Sequence, residues 1–293
     1  MAIRSYLAAL LVLAAASRGL GSQSRPAELA FALDPQGAVI VPVTIQGLGP
    51  FPFMLDTGST HSVISEDVVR RLGVSAVARS RLQTSTGSAT VPIVEIASAE
   101  VGGAVAPRLQ ASVLTKLDLK VAGEDIAGVL GQDFLSARHF TLDYAHRRLT
   151  WDDLPGPSER SDESRLIRLP LVEDEGRFVV HTWQQYCGGT LRLVLDSGSS
   201  ELVLFEHPTL AALDLTPVSD GPQMALTSLT GSQTVRLMRL DRLVLGSLTL
   251  RHQLAVVVPP SSSSYSTVDG LLPLHTFSRV SFRPRDGYVL IGR

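Results

Sequence analysis

The pentapeptide LDTGS at residues 55–59 returns as LDSGS at 195–199, each time closing one apolar run and preceding another. An Asp-Thr/Ser-Gly tripeptide is a good local turn, with the carboxylate accepting from backbone N–H groups and glycine allowing a tight path. For one copy, turn chemistry would be a sufficient account. The second copy brings its surroundings with it. Asp56 and Asp196 lie 140 residues apart. TGSAT before Val91 matches TGSQT before Val235, setting Gly87 against Gly231 at an offset of 144. VGGAVAPRLQASVL from Val101 corresponds to LGSLTLRHQLAVVV from Leu245, and AGVLG at 127–131 to DGLLP at 269–273, with Gly128 against Gly270 at an offset of 142. Four landmarks in one order, drifting by four residues, make the chain two copies of one unit.

Between the landmarks the pattern is that of strands. AVIVPVTI, FPFML, ATVPIVEIASAEV, FVVHTW, LRLVL and RLMRLDRLVL are β-branched or alternating and bounded by Gly, Pro and Ser. Helix signals are few: a short helix after Ser65 with Glu66 and Asp67 in its first turn and Gly73 closing it, another starting near Pro208, and a third over Gln132 to Arg138. The reading is an all-β protein with an N-terminal lobe over 23–151, a linker over 152–165 and a C-terminal lobe over 166–293. DDLPGPSERSDESR, acidic and rich in Pro and Gly, falls where the repeat boundary should lie. Residues 1–22 read as a signal peptide, with one Arg, an apolar stretch from Leu7 to Ala16 and then small residues. That stretch is too short to span a bilayer. The expected location is therefore secreted or periplasmic, with no stable membrane insertion after cleavage.

Composition narrows the chemistry. A chain of 293 residues that is 44% hydrophobic can bury a full core in one large domain or two halves. Its net charge is −2, and no run of Lys and Arg is interleaved with aromatics, so nucleic acid is not expected as a partner. Cys187 is the only cysteine, which excludes an intrachain disulfide and a cysteine-based zinc site; the seven His are scattered without an HExxH motif. No metal and no cofactor are expected. There is no GxSxG elbow, and the SSSSYS run at 261–266 reads as a loop.

Each acidic turn presents a carboxylate at the tip of a buried strand, and a pseudo-twofold pairing of the halves would bring the tips together. Adjacent carboxylates cannot both ionise cheaply, so they share a proton, and one is a base while the other is an acid at the same pH. A water between them could be deprotonated by one as the other protonates an amide carbonyl. Thr57 and Ser197 are placed to hydrogen-bond across the seam, and Gly58 and Gly198 to allow the tight turn. Ser59 and Ser199 are expected to donate their hydroxyls to the outer carboxylate oxygens, drawing the pair's titration downward and giving an acidic optimum.

These features together resemble the aspartic proteases of the retropepsin and pepsin group. The resemblance rests on the apolar-Asp-Thr/Ser-Gly-Ser signature, the glycine-containing hairpin about thirty residues later, and the GVLG step before QDFL. It covers most of residues 36–293. It implies a bilobal acid-protease fold of two pseudo-twofold-related lobes with the active site at their seam, and an aspartic endopeptidase in which Asp56 and Asp196 are catalytic. Thr86, Gly87 and Ser88 match the family's flap hairpin, with Thr230, Gly231 and Ser232 as the symmetric equivalent. The flap would close over an extended, predominantly apolar peptide or protein substrate. One chain supplies both aspartates, so a monomer is expected. The alternative is a noncatalytic peptide-binding protein that keeps the fold. Two departures stand out: LQTSTGSATV lacks the Tyr of pepsin-like flaps, and the second half has Pro273 for the second Gly of GVLG and His275 opposite Asp133.

Overall fold

In the computed structural model the described residues are 27–115, 117, 120–121, 124–152, 165–184, 189–206, 208–212, 215, 222–259 and 267–293. The proposed signal peptide, most of the linker, Cys187 and the SSSSYS run lie outside them. Among the described residues no helix is long and apolar enough to cross a membrane.

Three sheets dominate. The N-terminal half forms a ten-stranded sheet and the C-terminal half an eight-stranded one; a six-stranded sheet joins the halves. The joining sheet runs Ala27–Ala30, Arg148–Trp151, Phe140–Asp143, Arg279–Arg283, Tyr288–Gly292, Ile167–Pro170, three strands from each half. At its centre Thr141 pairs with Ser281, 140 residues away, so the pseudo-twofold axis passes between these antiparallel strands. Aromatic rings continue the join into the core: Phe140 stacks on Phe282 at 4.6 Å, Phe282 meets Phe178 at 5.6 Å, and Trp151 contacts Phe134 and Phe140, each at 5.9 Å. Rings from both halves in one buried cluster make lobe separation costly, since each buries a large apolar area.

Within each half a parallel strand pair carries the acidic turn. Leu48–Leu55 pairs with Gly128–Leu130, and Gly189–Asp196 with Gly270–Pro273. The repeated glycine is explained by contact. A Cβ at Gly128 would stand 2.1 Å from the Phe53 ring, and one at Gly270 2.1 Å from the Val203 carbonyl oxygen. Only a residue without a side chain lets these strands approach.

The helix after Ser65 spans Glu66–Leu72; the Ser65 hydroxyl accepts from the Val68 N–H at 3.4 Å, and Gly73 ends it in the left-handed region at φ 66°. The third expected helix is shorter than its sequence suggests. It covers Gln132–Leu135 and stops at Ser136. ATVPIVEIASAEV, read as one run, is two strands, Gly87–Ile96 and Ala99–Val101. The chain leaves the sheet between them because Gln46 takes over the backbone there: its side-chain oxygen accepts from Ala97 N–H and its own N–H donates to the Ser98 carbonyl.

Candidate active site

Asp56 and Asp196 come together at the seam. Each is set by its parallel pair: Leu55 and Leu195 below them are fully buried, and the Asp56 N–H donates to the Leu130 carbonyl at 2.9 Å. Oδ1 of Asp56 accepts from the N–H groups of Gly58 (2.9 Å) and Ser59 (3.1 Å); Oδ1 of Asp196 accepts from Gly198 (2.8 Å) and Ser199 (2.9 Å). Thr57 and Ser197 clasp across the axis. The Thr57 hydroxyl donates to the Leu195 carbonyl (2.7 Å) and accepts from Ser197 N–H (3.0 Å), while the Ser197 hydroxyl donates to the Leu55 carbonyl (2.6 Å) and accepts from Thr57 N–H (3.0 Å). Both side chains are buried, so each donor and acceptor would otherwise stand without water.

Gly58 and Gly198 serve close approach rather than a left-handed turn. Neither has positive φ. A Cβ at Gly58 would lie 2.6 Å from Oδ2 of Asp196, and one at Gly198 2.8 Å from Cγ of Asp56. Each carboxylate thus rests against the glycine of the other turn, which sets the two carboxyl groups beside each other across the axis. Burial raises both above the ordinary carboxylate range. Asp196 rises further because the Asp56 charge faces it. The pair holds one proton well above the pH at which a lone carboxylate would lose it.

Ser59 and Ser199 require a correction. Their hydroxyls do not reach the carboxylates: Ser59 Oγ donates to the His61 carbonyl and Ser199 Oγ to that of Glu201, both at 2.8 Å. A hydroxyl has one proton, and here a backbone carbonyl two residues on takes it. These serines serve the dyad through their backbone N–H groups.

Both glycine hairpins cover the dyad, and their tips touch. Ala76–Thr84 turns into Gly87–Ile96, and Gln223–Ser228 into Gly231–Leu245. Thr84 Oγ1 lies 2.8 Å from Ser228 Oγ and 2.5 Å from Thr230 Oγ1; Thr86 Oγ1 hydrogen-bonds Ser228 and donates to the Gly231 carbonyl at 3.0 Å. Gln233 reaches across to the Ser85 carbonyl at 3.2 Å. The cavity between tips and dyad has a volume of about 340 Å³. Its roof is made by Ser80–Ser85 and Leu226–Leu229, the strands entering the hairpins. Thr86 and Thr230 each bond to the opposite hairpin, and a Cβ at Gly87 would lie 3.6 Å from Thr230 Oγ1, whereas Ser88 accepts from Arg81 and Ser232 pairs with Thr227 within their own hairpins. The residues that line the cavity therefore lie a few positions before those picked out by the repeat.

The aspartyl protease family model matches residues 41–134 and again 185–275, so that each match contains one acidic turn. The chain belongs to the aspartyl protease family. No curated protein matches it. Among solved structures it is similar to the aspartic proteinase from Irpex lacteus, with a TM-score of 0.54 over 90% of this chain and 96% of that one, at 10% identity. The bilobal all-β fold is thus shared where the sequence has diverged almost completely.

Beside this aspartyl protease dyad stand residues that the repeat did not mark. The Gln132 side-chain amide donates to the Thr57 carbonyl at 2.6 Å. Ser62 is held by Asp133, through its N–H (2.9 Å) and hydroxyl (2.7 Å), and accepts from Gly131 N–H (3.1 Å). The C-terminal half replaces this trio with Leu202, Pro273 and His275. The replacements are coordinated. Proline has no N–H to give, and leucine no hydroxyl to receive it. The GLLP departure therefore goes with the loss of that polar brace from the C-terminal half. Among the described residues no group of three His, Cys, Asp or Glu could hold a metal.

Proposed function

We propose that the protein is an aspartic endopeptidase, in which a water held between Asp56 and Asp196 attacks a peptide carbonyl. The observation that carries this reading is the juxtaposition of two carboxyl groups at the seam, Asp196 buried and Asp56 half-buried, both raised by desolvation, under a cavity roofed by two hairpins. The ionised member takes the water's proton. The protonated member donates to the carbonyl oxygen, and the tetrahedral adduct then collapses as a proton passes to the leaving nitrogen. The unused roof edges offer main-chain groups to an extended peptide, which would add as a strand. We further propose that it acts as a monomer, since one chain supplies both aspartates, and outside the cytoplasm, on the reading of its N-terminal apolar stretch.

The test is digestion of a peptide library between pH 3 and 7, with pepstatin and with Asp56→Asn and Asp196→Asn. Each substitution should lower turnover at least about a thousandfold, with the double variant no worse than either single one, because the pair works as a unit. Peptide binding without cleavage by the unaltered protein would instead select the noncatalytic reading.

A further inference from the structure

The two halves present equivalent rows of side chains to the cleft, and one row is broken by a hydroxyl. Strand pairing sets Ile93, Ser112, Val63, Val129, Met54 and Ile40 side by side, one per strand, across the N-terminal sheet. The C-terminal sheet aligns Leu237, Val256, Val203, Leu271, Val194 and Val179 in the same way. These are the repeat's own equivalents, with Ser112 standing to Val256 and Ile93 to Leu237 as Gly87 stands to Gly231. Every member except Ser112 is apolar. Residues directly paired in a sheet share one face, and both rows reach the cavity: Met54, Ile93 and Ser112 line it from one half, Val203 and Leu271 from the other. Val256 is fully buried in an apolar cluster with Val203 and Leu271, whereas Ser112, 6% exposed, sets a hydroxyl at the same place. The other buried hydroxyl of the cavity wall, on Thr84, bonds to Ser228 and Thr230 of the opposite hairpin. That of Ser112 donates to no described residue.

Resting on the endopeptidase reading, we propose that Ser112 is a specificity residue: its hydroxyl binds the hydrogen-bonding end of an uncharged substrate side chain next to the scissile bond, while the equivalent place in the other half, closed by Val256, takes an aliphatic one. In an open cleft solvent satisfies the hydroxyl. A substrate side chain that covers it must hydrogen-bond to it or leave it unpaired. A hydroxyl both donates and accepts, so amide and hydroxyl ends can answer it, and the apolar wall of Met54, Leu82 and Ile93 disfavours a charged one. The predominantly apolar substrate expected from the strand flanks thereby gains one polar-tipped position. A pseudo-twofold cleft with equal sides would accept a strand either way round, and this inequality fixes the direction in which a peptide lies.

End-blocked peptides cleaved at a single bond, with the near-isosteric pairs Thr/Val, Asn/Leu and Gln/Met placed in turn at each position flanking it, test this at the pH of maximal turnover. On one flank the polar member of at least one pair should exceed its apolar partner by about fivefold or more in kcat/KM, and on the other flank the apolar members should win. Ser112→Val completes the apolar row and should reverse the preference on the first flank alone. Ser112→Ala, which adds less bulk, should abolish it, and Ser112→Thr, which keeps the hydroxyl, should retain it. A serine with a merely structural role would change every peptide's turnover by the same factor. Like preferences on both flanks in the wild type, or a polar preference that Ser112→Val and Ser112→Ala leave unmoved, overturns the proposal. If no peptide is cleaved, the endopeptidase reading falls by itself, and the same ratios, read as Kd by fluorescence anisotropy, still decide the role of Ser112.

Discussion

Gly58 and Gly198 occupy positions where no side chain fits, because the space a Cβ would take holds the other turn's carboxylate. Gly58→Ala or Gly198→Ala must push the aspartates apart. The expected outcome is at least a hundredfold loss of peptide cleavage with about 1–3 kcal/mol of lost stability from overpacking, read by kinetics and urea unfolding. Ser59 and Ser199 predict the opposite pattern. With their hydroxyls given to backbone carbonyls, the Ser59→Ala, Ser199→Ala double variant should cost about 0.5–1.5 kcal/mol per bond and leave the upper limb of the pH–rate profile where it was. A shift of that limb toward neutral pH would show the hydroxyls turning to the carboxylates in the working enzyme. Sequence pattern located these serines but could not orient them, since side-chain proton direction is decided by competition among nearby acceptors.

At the scale of elements, the two hairpins differ from the repeat in an instructive way. Gly231 sits at φ +143°, where side chains are strained, with open space around it; Gly87 has no such backbone, and a Cβ there would meet only Thr230 at 3.6 Å. Gly231→Ala should thus lower turnover and hairpin stability by about 1 kcal/mol or more, and Gly87→Ala should be close to neutral. Equivalent glycines in the sequence do not imply equivalent conformations. Because the tips bond to each other, the endopeptidase reading predicts that they part when a substrate enters. A Thr86→Cys, Ser228→Cys pair should close a disulfide that abolishes cleavage under oxidising conditions and restores it with reductant, measured against each single variant; unchanged turnover in the oxidised pair would mean that peptides enter without tip separation. The hairpins themselves, the dyad turns and the short helix after Ser65 were legible because each is local: a glycine turn between alternating runs, or a cap before an amphipathic stretch. The tip contacts and the six-stranded join were not, because each depends on which distant strands become neighbours.

For the whole molecule, the same burial that readies the dyad works against the fold. Two carboxyl groups raised above the ordinary value of 3.8 bind protons more tightly folded than unfolded, so between that value and the raised ones the native state holds more protons and stability falls as pH rises. Asp133 and Asp152, also raised chiefly by burial, add to the same slope. The Arg283 ion pair to Asp152 at 3.1 Å offsets part of that burial without reversing it. Asp196→Asn removes the member that must otherwise keep a proton or ionise beside Asp56, and its amide can donate where the shared proton stood. The inactive variant should therefore melt a few degrees higher than the unaltered protein at pH 7, with the gap shrinking toward zero as pH falls to about 3.5, since there both proteins carry a neutral group at that position. Calorimetry of the two proteins from pH 3.5 to 7 measures it. A gap that is constant with pH would mean that the site binds no extra proton on folding, and the shared-proton account of the dyad would have to be abandoned along with the acid–base roles it assigns.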